Sequence, residues 1–334
     1  STWEQECLWL DVTREYTRLC AAEGGEGEDL EKSGARLFRA IVHAYWGAPG
    51  DPRLPLADPY VLAWEGRYYA YGTTGGGGFR AAVSDDLVHW EMAKGLARDG
   101  LVFAKGDGFG TREFWAPEVH AHNGRFYLFY SANRCCCVAV ADSPLGPFRN
   151  PRREPLFARP GGQAIDNSLF VDDDGTPWMP FSDDERLAFV RLTPDLMSIV
   201  PDSLFVAFDK PRDAWQKGTE EGPSVVRVGG KYVVLFSGDG CQSQDYAVGV
   251  GVADRVTGPW TRVTDYRFLH RAGGLTGTGH GSPLRLADGS WRYVFHAHET
   301  STIMGCRRTY VVPMEFEGCM PRLTGEPVAC LRTD

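Results

Sequence analysis

Asp58, Asp166, Glu221 and His280 stand at matched places in a sequence repeat. Carboxylates brought close together repel, and burial raises their pKa. Such crowding is expected where function requires it. Two facing carboxylates are the equipment of glycoside hydrolysis: one protonates the leaving oxygen, and the other activates water or attacks as a nucleophile. A third carboxylate can hold the acid's pKa high and orient it. Rival chemistries lack their residues. There is no nucleophile elbow, no HExxH, and no Gly-rich loop followed by Lys-Ser/Thr. Cysteines at zinc-finger spacing are missing as well.

The repeat must position these groups. One unit occurs five times, running from Asp58 to Gly66, Ala116 to Gly124, Asp166 to Gly175, Glu221 to Gly230 and His280 to Gly289. Each is a strand, a tight glycine turn and an aromatic-rich second strand, which makes a β-hairpin. Successive units start 58, 50, 55 and 59 residues apart, the length of one propeller blade. Segments beginning at Ala82, Val138 and Val250 resemble one another and read as outer strands. The fold class is therefore all-β: a five-bladed β-propeller over residues 51–334, forming the catalytic domain. Innermost strands line the central channel of such a fold. The opening residues Asp58, Ala116, Asp166, Glu221 and His280, each 8 or 9 residues before its turn glycine, should then ring the axis at one end.

Residues 1–50 follow another pattern. Leu30, Leu37, Phe38, Ile41, Val42 and Tyr45 recur at helical spacing, with acidic residues before them and Gly47 after. A short, partly helical N-terminal extension is predicted, packed on the propeller or used in an oligomer contact.

The 334 residues carry a net charge of −9, which argues against duplex nucleic acid or an anionic membrane as a partner. No apolar run approaches the roughly 18 residues of a membrane span. Nine cysteines, three of them consecutive at Cys135–Cys137, show no disulfide framework and read as reduced. No charged start leads into an apolar stretch. These features lean towards a cytoplasmic location, with secretion or the periplasm left open by a processed start.

The motifs Ala57-Asp58-Pro59-Tyr60-Val61, Phe114-Trp115-Ala116-Pro117-Glu118-Val119, Ala164-Ile165-Asp166-Asn167-Ser168, Glu220-Glu221-Gly222-Pro223 and Gly279-His280-Gly281-Ser282 together resemble the signature set of glycoside hydrolase family 43. The resemblance covers about residues 51–325. It implies a five-bladed propeller and hydrolysis with inversion. Residue by residue, it implies Asp58 as general base, Glu221 as general acid and Asp166 as the group that tunes and orients the acid. It places His280 in the channel floor, where family members commonly hold a hydrated calcium or sodium ion. No cofactor is required for the chemistry. Arg307 falls where the family often has an arginine near the third carboxylate, with Arg308 as the fallback.

Around this set, Trp115 is a candidate sugar platform, and Phe114 and Phe170 are candidate pocket walls. Strand neighbours point to opposite faces, so only one of Glu220 and Glu221 can face the channel. The repeat favours Glu221 and leaves Glu220 solvated. The pairs His296/His298 and His120/His122 read as hydrogen-bonded strand residues. Gly75–Gly78 reads as a loop over the channel mouth. The resulting expectation is an exo-acting or debranching hydrolase of arabinose- or xylose-containing plant cell-wall glycans, with α-L-arabinofuranosidase foremost. β-D-xylosidase, galactofuranosidase, arabinanase and galactanase activities, or a non-catalytic carbohydrate-binding propeller, are the alternatives.

Overall fold

In a computed structural model, the structure describes residues 50–208 and 213–333. The helical extension expected over residues 1–50 lies, apart from Gly50, outside the described residues.

Five antiparallel sheets follow one another along the chain, each beginning with one repeat unit. Blade 1 comprises Ala57–Trp64, Arg67–Thr73, Ala81–Ser84 and His89–Met92. Blade 2 has three strands, Trp115–His122, Arg125–Ala132 and Cys135–Ala141. In blade 3 the inner edge is split into Ala164–Ile165 and Phe170–Val171, both paired with Pro177–Asp183, and Leu187–Arg191 and Phe205–Val206 follow. Blade 4 is Glu221–Val228, Lys231–Gly238, Ala247–Ala253 and Thr261–Leu269. Blade 5 starts with Gly279–Arg285, Trp291–Ala297 and Arg308–Glu317, with Met320–Leu323 and Val328–Ala329 along its outer edge. The segments containing Ala82, Val138 and Val250 are third strands. Only in blade 2 is that strand the last, because the other blades add a further one outside it.

The second strands of blades 2, 3 and 4 are buried on both faces, which explains why they are almost wholly apolar. Along Lys231–Gly238 the side chains alternate. Val234 and Phe236 pack towards blade 3 with Phe189 and Trp260, whereas Val233 and Leu235 pack towards blade 5 with Tyr293 and Val312. Each of the five seams between blades thus holds its own apolar core. Trp90, Trp178 and Trp260 sit inside these cores, and Trp64 and Trp291 pack against them. The ring closes when Leu331–Arg332 pairs in parallel with His89–Met92 of blade 1.

Candidate active site

All five inner strands enter the channel with one local geometry. A residue at the start of each pairs across the hairpin: Ala57 with Thr73, Trp115 with Ser131, Ile165 with Ser182, Glu221 with Ser237 and Gly279 with His296. The next residue is left-handed in every blade, with φ of 49° at Asp58, 43° at Ala116, 58° at Asp166, 56° at Gly222 and 38° at His280. That conformation costs an L-residue about 1–2 kcal/mol and persists where the surroundings enforce it. Here the preceding blade enforces it. The amide of Ala116 donates to Thr73 Oγ1 at 2.8 Å, that of Asp166 to Ser131 Oγ at 2.8 Å, and that of His280 to Ser237 Oγ at 2.9 Å. Asp58 completes the circle by donating its amide to His296 Nδ1 of blade 5 at 3.0 Å. The link differs at blade 4, where Ser182 Oγ donates to the Glu220 carbonyl at 2.7 Å. The Gly222 amide instead goes to the carboxylate of Asp166, Oδ2 at 3.2 Å.

This register corrects the sequence alignment. The residue equivalent to Asp58, Asp166 and His280 is Gly222, not Glu221. Glu221 shares its place with Trp115 and Ile165, one residue earlier on the strand. Unequal hairpin loops conceal the slip when residues are counted back from the turn. Position 222 needs glycine twice over: its φ is positive, and a Cβ there would lie 2.8 Å from Cγ of the His280 ring.

A cavity of about 250 Å³ opens above this ring. Asp58, Asp166, Glu221, His280, Arg307 and Trp115 all line it, so the structure brings together six of the eight site residues expected from sequence. Asp58 Oδ1 accepts from Arg307 Nη1 at 2.8 Å, and Oδ2 accepts from the Thr73 hydroxyl at 2.7 Å. Burial opposes its charge, but Arg307, the His280 and His296 imidazoles and Thr73 together hold its carboxyl well below the usual range. Glu221 is pushed the other way, to about 7, chiefly by burial, with Asp58 adding to the rise and the Tyr246 hydroxyl opposing it. Asp166 is also raised, by burial and by the charges of Glu221 and Asp58. Burial lowers His280, whose Nδ1 lies 3.4 Å from Asp58 Oδ1 and 3.7 Å from Asp166 Oδ2. One carboxylate held charged beside another held protonated is the pairing that general base and general acid require.

The family model for glycosyl hydrolases family 43 matches residues 53–320. The chain belongs to this family. As a family 43 enzyme it is an inverting glycoside hydrolase. It is 28% identical to a β-D-galactofuranosidase, xynD, of Aspergillus niger over 74% of this chain and 76% of that protein. It is 27% identical to an extracellular exo-α-(1→5)-L-arabinofuranosidase, ArbA, of Cellvibrio japonicus over 76% of this chain and 82% of that one. The crystal structure of an endo-1,4-β-xylanase from Bacteroides thetaiotaomicron superposes with a TM-score of 0.78 at 35% identity, over 86% of this chain and all of that one.

Several expected residues lie elsewhere in the family 43 enzyme. Phe114 is 3% exposed and packs with Phe79, Phe103 and Tyr130 between blades 1 and 2. Phe170 stacks edge-on against Tyr232 between blades 3 and 4. Neither walls the pocket, because both side chains point into seams. Glu220 is not solvated. It is 1% exposed, ion-paired to Arg262, and accepts from Gln216 Nε2 at 3.1 Å and the Leu187 amide at 3.2 Å. The strand does send it away from the channel, but the opposite face is a seam and not solvent. Arg307 donates to Asp58 and its charge also acts on Asp166, while Arg308 pairs with Glu299. His298 is held by Gln244 and the Cys241 carbonyl. Gly75–Gly78 borders a separate depression with Arg80 and Lys105.

His296 is the hydrogen-bonded strand residue expected, here holding the Asp58 amide, whereas Tyr246, Thr73 and the pocket residues Arg134, Gln163, Glu185, Thr219 and Gln242 were not singled out in the sequence. The Thr73 set had a signal. Thr73, Ser131, Ser182, Ser237 and His296 each fall 15 or 16 residues after the left-handed residue of their own blade. Tyr246 had none, since it sits on a loop outside the repeat.

The donors near His280 do not fit direct chelation of a metal. Asp58 is engaged by Arg307 and Thr73, and Asp166 by the Gly222 amide. Among the described residues no group of three or more His, Cys, Asp and Glu is arranged to hold an ion. No step of the chemistry is routed through calcium or sodium.

Proposed function

We propose that this enzyme removes terminal or branching α-L-arabinofuranosyl residues from plant cell-wall polysaccharides or oligosaccharides. Asp58 is the general base and Glu221 the general acid. A water between Asp58 and the sugar loses a proton to Asp58 and attacks the anomeric carbon. Glu221 protonates the glycosidic oxygen as the bond to it breaks, and the sugar leaves with inverted configuration. Asp166 accepts the amide of Gly222 and so fixes the backbone that carries Glu221. The buried Asp166–Glu221 pair resists full ionisation, which keeps a proton available near neutral pH. Trp115 offers the sugar a stacking face at the pocket wall.

The observation that carries this reading is the opposite displacement of Asp58 and Glu221 within one pocket. The small cavity supports action on a single terminal sugar, being below the range of roughly 300–1,000 Å³ common for ligand pockets. The likeness to an exo-acting arabinofuranosidase supports the sugar. A second reading, β-D-xyloside or β-D-galactofuranoside cleavage, draws on the likeness to a xylanase and a galactofuranosidase.

The test is release of nitrophenol from 4-nitrophenyl α-L-arabinofuranoside, β-D-xyloside and β-D-galactofuranoside by wild type and Asp58→Asn. Activity on the arabinofuranoside that is lost in Asp58→Asn supports the proposal. Activity confined to another glycoside replaces the sugar. Equal activity in both proteins removes Asp58 from the base's role.

A further inference from the structure

Tyr246 is fully buried beside the pocket, between the inner strands of blades 4 and 5. Its hydroxyl donates to Oε1 of Glu221 at 2.7 Å. The ring lies where residue 279 has no side chain: a Cβ on Gly279 would sit 2.4 Å from Cδ1 of the tyrosine. It also stacks on His296, with centroids 5.7 Å apart and planes 10° from parallel. The backbone is held as well, with the Tyr246 amide donating to the Ser243 carbonyl at 3.1 Å and Thr278 Oγ1 to the Tyr246 carbonyl at 3.4 Å. The phenol therefore has one place to aim its hydrogen.

We propose that Tyr246 is a positioning residue that assigns the catalytic proton to one oxygen of Glu221: with Oε1 occupied by the phenol hydrogen, Oε2 is the oxygen that carries and delivers the proton. The inference rests on the reading of Glu221 as general acid. A protonated carboxyl has a carbonyl oxygen that accepts and a hydroxyl that donates. The phenol hydrogen makes Oε1 the acceptor. During the reaction the Oε2–H bond breaks and the proton passes to the glycosidic oxygen, which gives up its bond to the anomeric carbon. Tyr246 keeps its own hydrogen throughout. Burial and the neighbouring Glu221 charge raise the phenol well above its ordinary pKa, so it stays a donor. Its bond to Glu221 becomes charge-assisted once the proton has left. The contact is then stronger late in the step than at the start, which is the condition for lowering a barrier. The titratable and charged groups facing Glu221 are Asp58, Asp166, Glu185, Arg307 and Tyr246.

Tyr246→Phe keeps the ring and removes the hydroxyl. Its effect is read on two leaving groups, the 4-nitrophenyl and the methyl glycoside of whichever of the three sugars the enzyme releases. Nitrophenolate needs little protonation, whereas methanol needs much. The expected result is a loss of about tenfold in kcat/KM on the methyl glycoside, a part of the roughly 10²–10⁴-fold that general acid catalysis supplies, and a change below about twofold on the nitrophenyl one. The alkaline limb of the methyl profile moves up, because the ionised acid has lost a donor. A carbon-13 titration of the Glu221 carboxyl reads the same upward shift without turnover. In a Glu221→Gln background the Tyr246→Phe change adds nothing further. Equal losses on both glycosides, or an unmoved carboxyl titration, overturn the proposal in favour of a packing role. If Glu221→Gln itself leaves methyl glycoside cleavage intact, the acid assignment falls and the inference falls with it.

Discussion

Arg307 and Asp58 meet at 2.8 Å inside the pocket, both less than a tenth exposed. The guanidinium comes from the loop before the third strand of blade 5 and the carboxylate from the inner strand of blade 1, so the seam where the propeller closes runs through the base. Arg307 does two things for Asp58. It offsets the cost of burying a charge, and it keeps that charge present at low pH.

Removing the guanidinium exposes this dependence. In Arg307→Met the Asp58 carboxyl rises towards and beyond its ordinary pKa, because burial is then opposed only by Thr73 and the imidazoles. Asp58 acts while ionised, so activity on 4-nitrophenyl glycosides is lost as pH falls through its pKa. The acidic limb of the kcat/KM profile is expected to move up by at least about one unit, about 1.4 kcal/mol of lost charge stabilisation. A limb that stays in place shows that another group sets it.

Glu221 makes the opposite prediction for stability. Its folded pKa of about 7 lies above the ordinary value of 4.5. The folded protein then binds this proton more tightly than the unfolded chain, and stability falls as pH rises from about 4.5 to about 7. Glu221→Gln has no charge to bury. Its Tm is expected to exceed that of wild type at pH 8, with the gap closing towards pH 4. Thermal melts across that range decide it, and an equal Tm at pH 8 rules the shift out.

Glu220 and Arg262 form a buried ion pair in the seam between blades 3 and 4, with Arg262 lying 4.5 Å over the Phe208 ring. Breaking such a pair on one side leaves a charge without its partner and costs about 3–5 kcal/mol. Glu220→Leu and Arg262→Met are each expected to lower stability by that order in urea melts. The double variant is expected to lose less than the sum of the two, since apolar groups can replace a buried pair, but not to regain wild-type stability, because the Leu187 amide and Gln216 lose their acceptor. Additive losses contradict this account.

The blades were legible because their hairpins repeat, and a repeat is read from many residues at once. Asp58 and Asp166 were legible for the same reason. Glu221 was found, but its register was not: loop lengths absorb a one-residue slip, and only backbone pairing shows that Gly222 holds the equivalent place. Phe114, Phe170 and Glu220 were misplaced by a single simplification. A propeller strand has neighbours on both faces, so a side chain turned away from the channel enters another core. Thr73, Ser131 and Ser237 are small, common residues whose importance comes from the next blade's amide, and no single hairpin contains that partner. Tyr246 stands on a loop whose path no periodicity describes.

The pairing of Leu331–Arg332 with His89–Met92 has a consequence for biosynthesis. Blade 1 is the first blade to leave the ribosome, and the strand that latches it is the last of the described strands to emerge. The hydrogen bond from Asp58 to His296, like the ion pair from Asp58 to Arg307, also joins early chain to late chain. While translation proceeds, the nascent protein is an open arc of hairpins whose first blade exposes a sheet edge that its own last segment will cover. The pocket is therefore assembled only after blade 5 has emerged, and until then the unpaired edge of blade 1 is exposed to wrong partners.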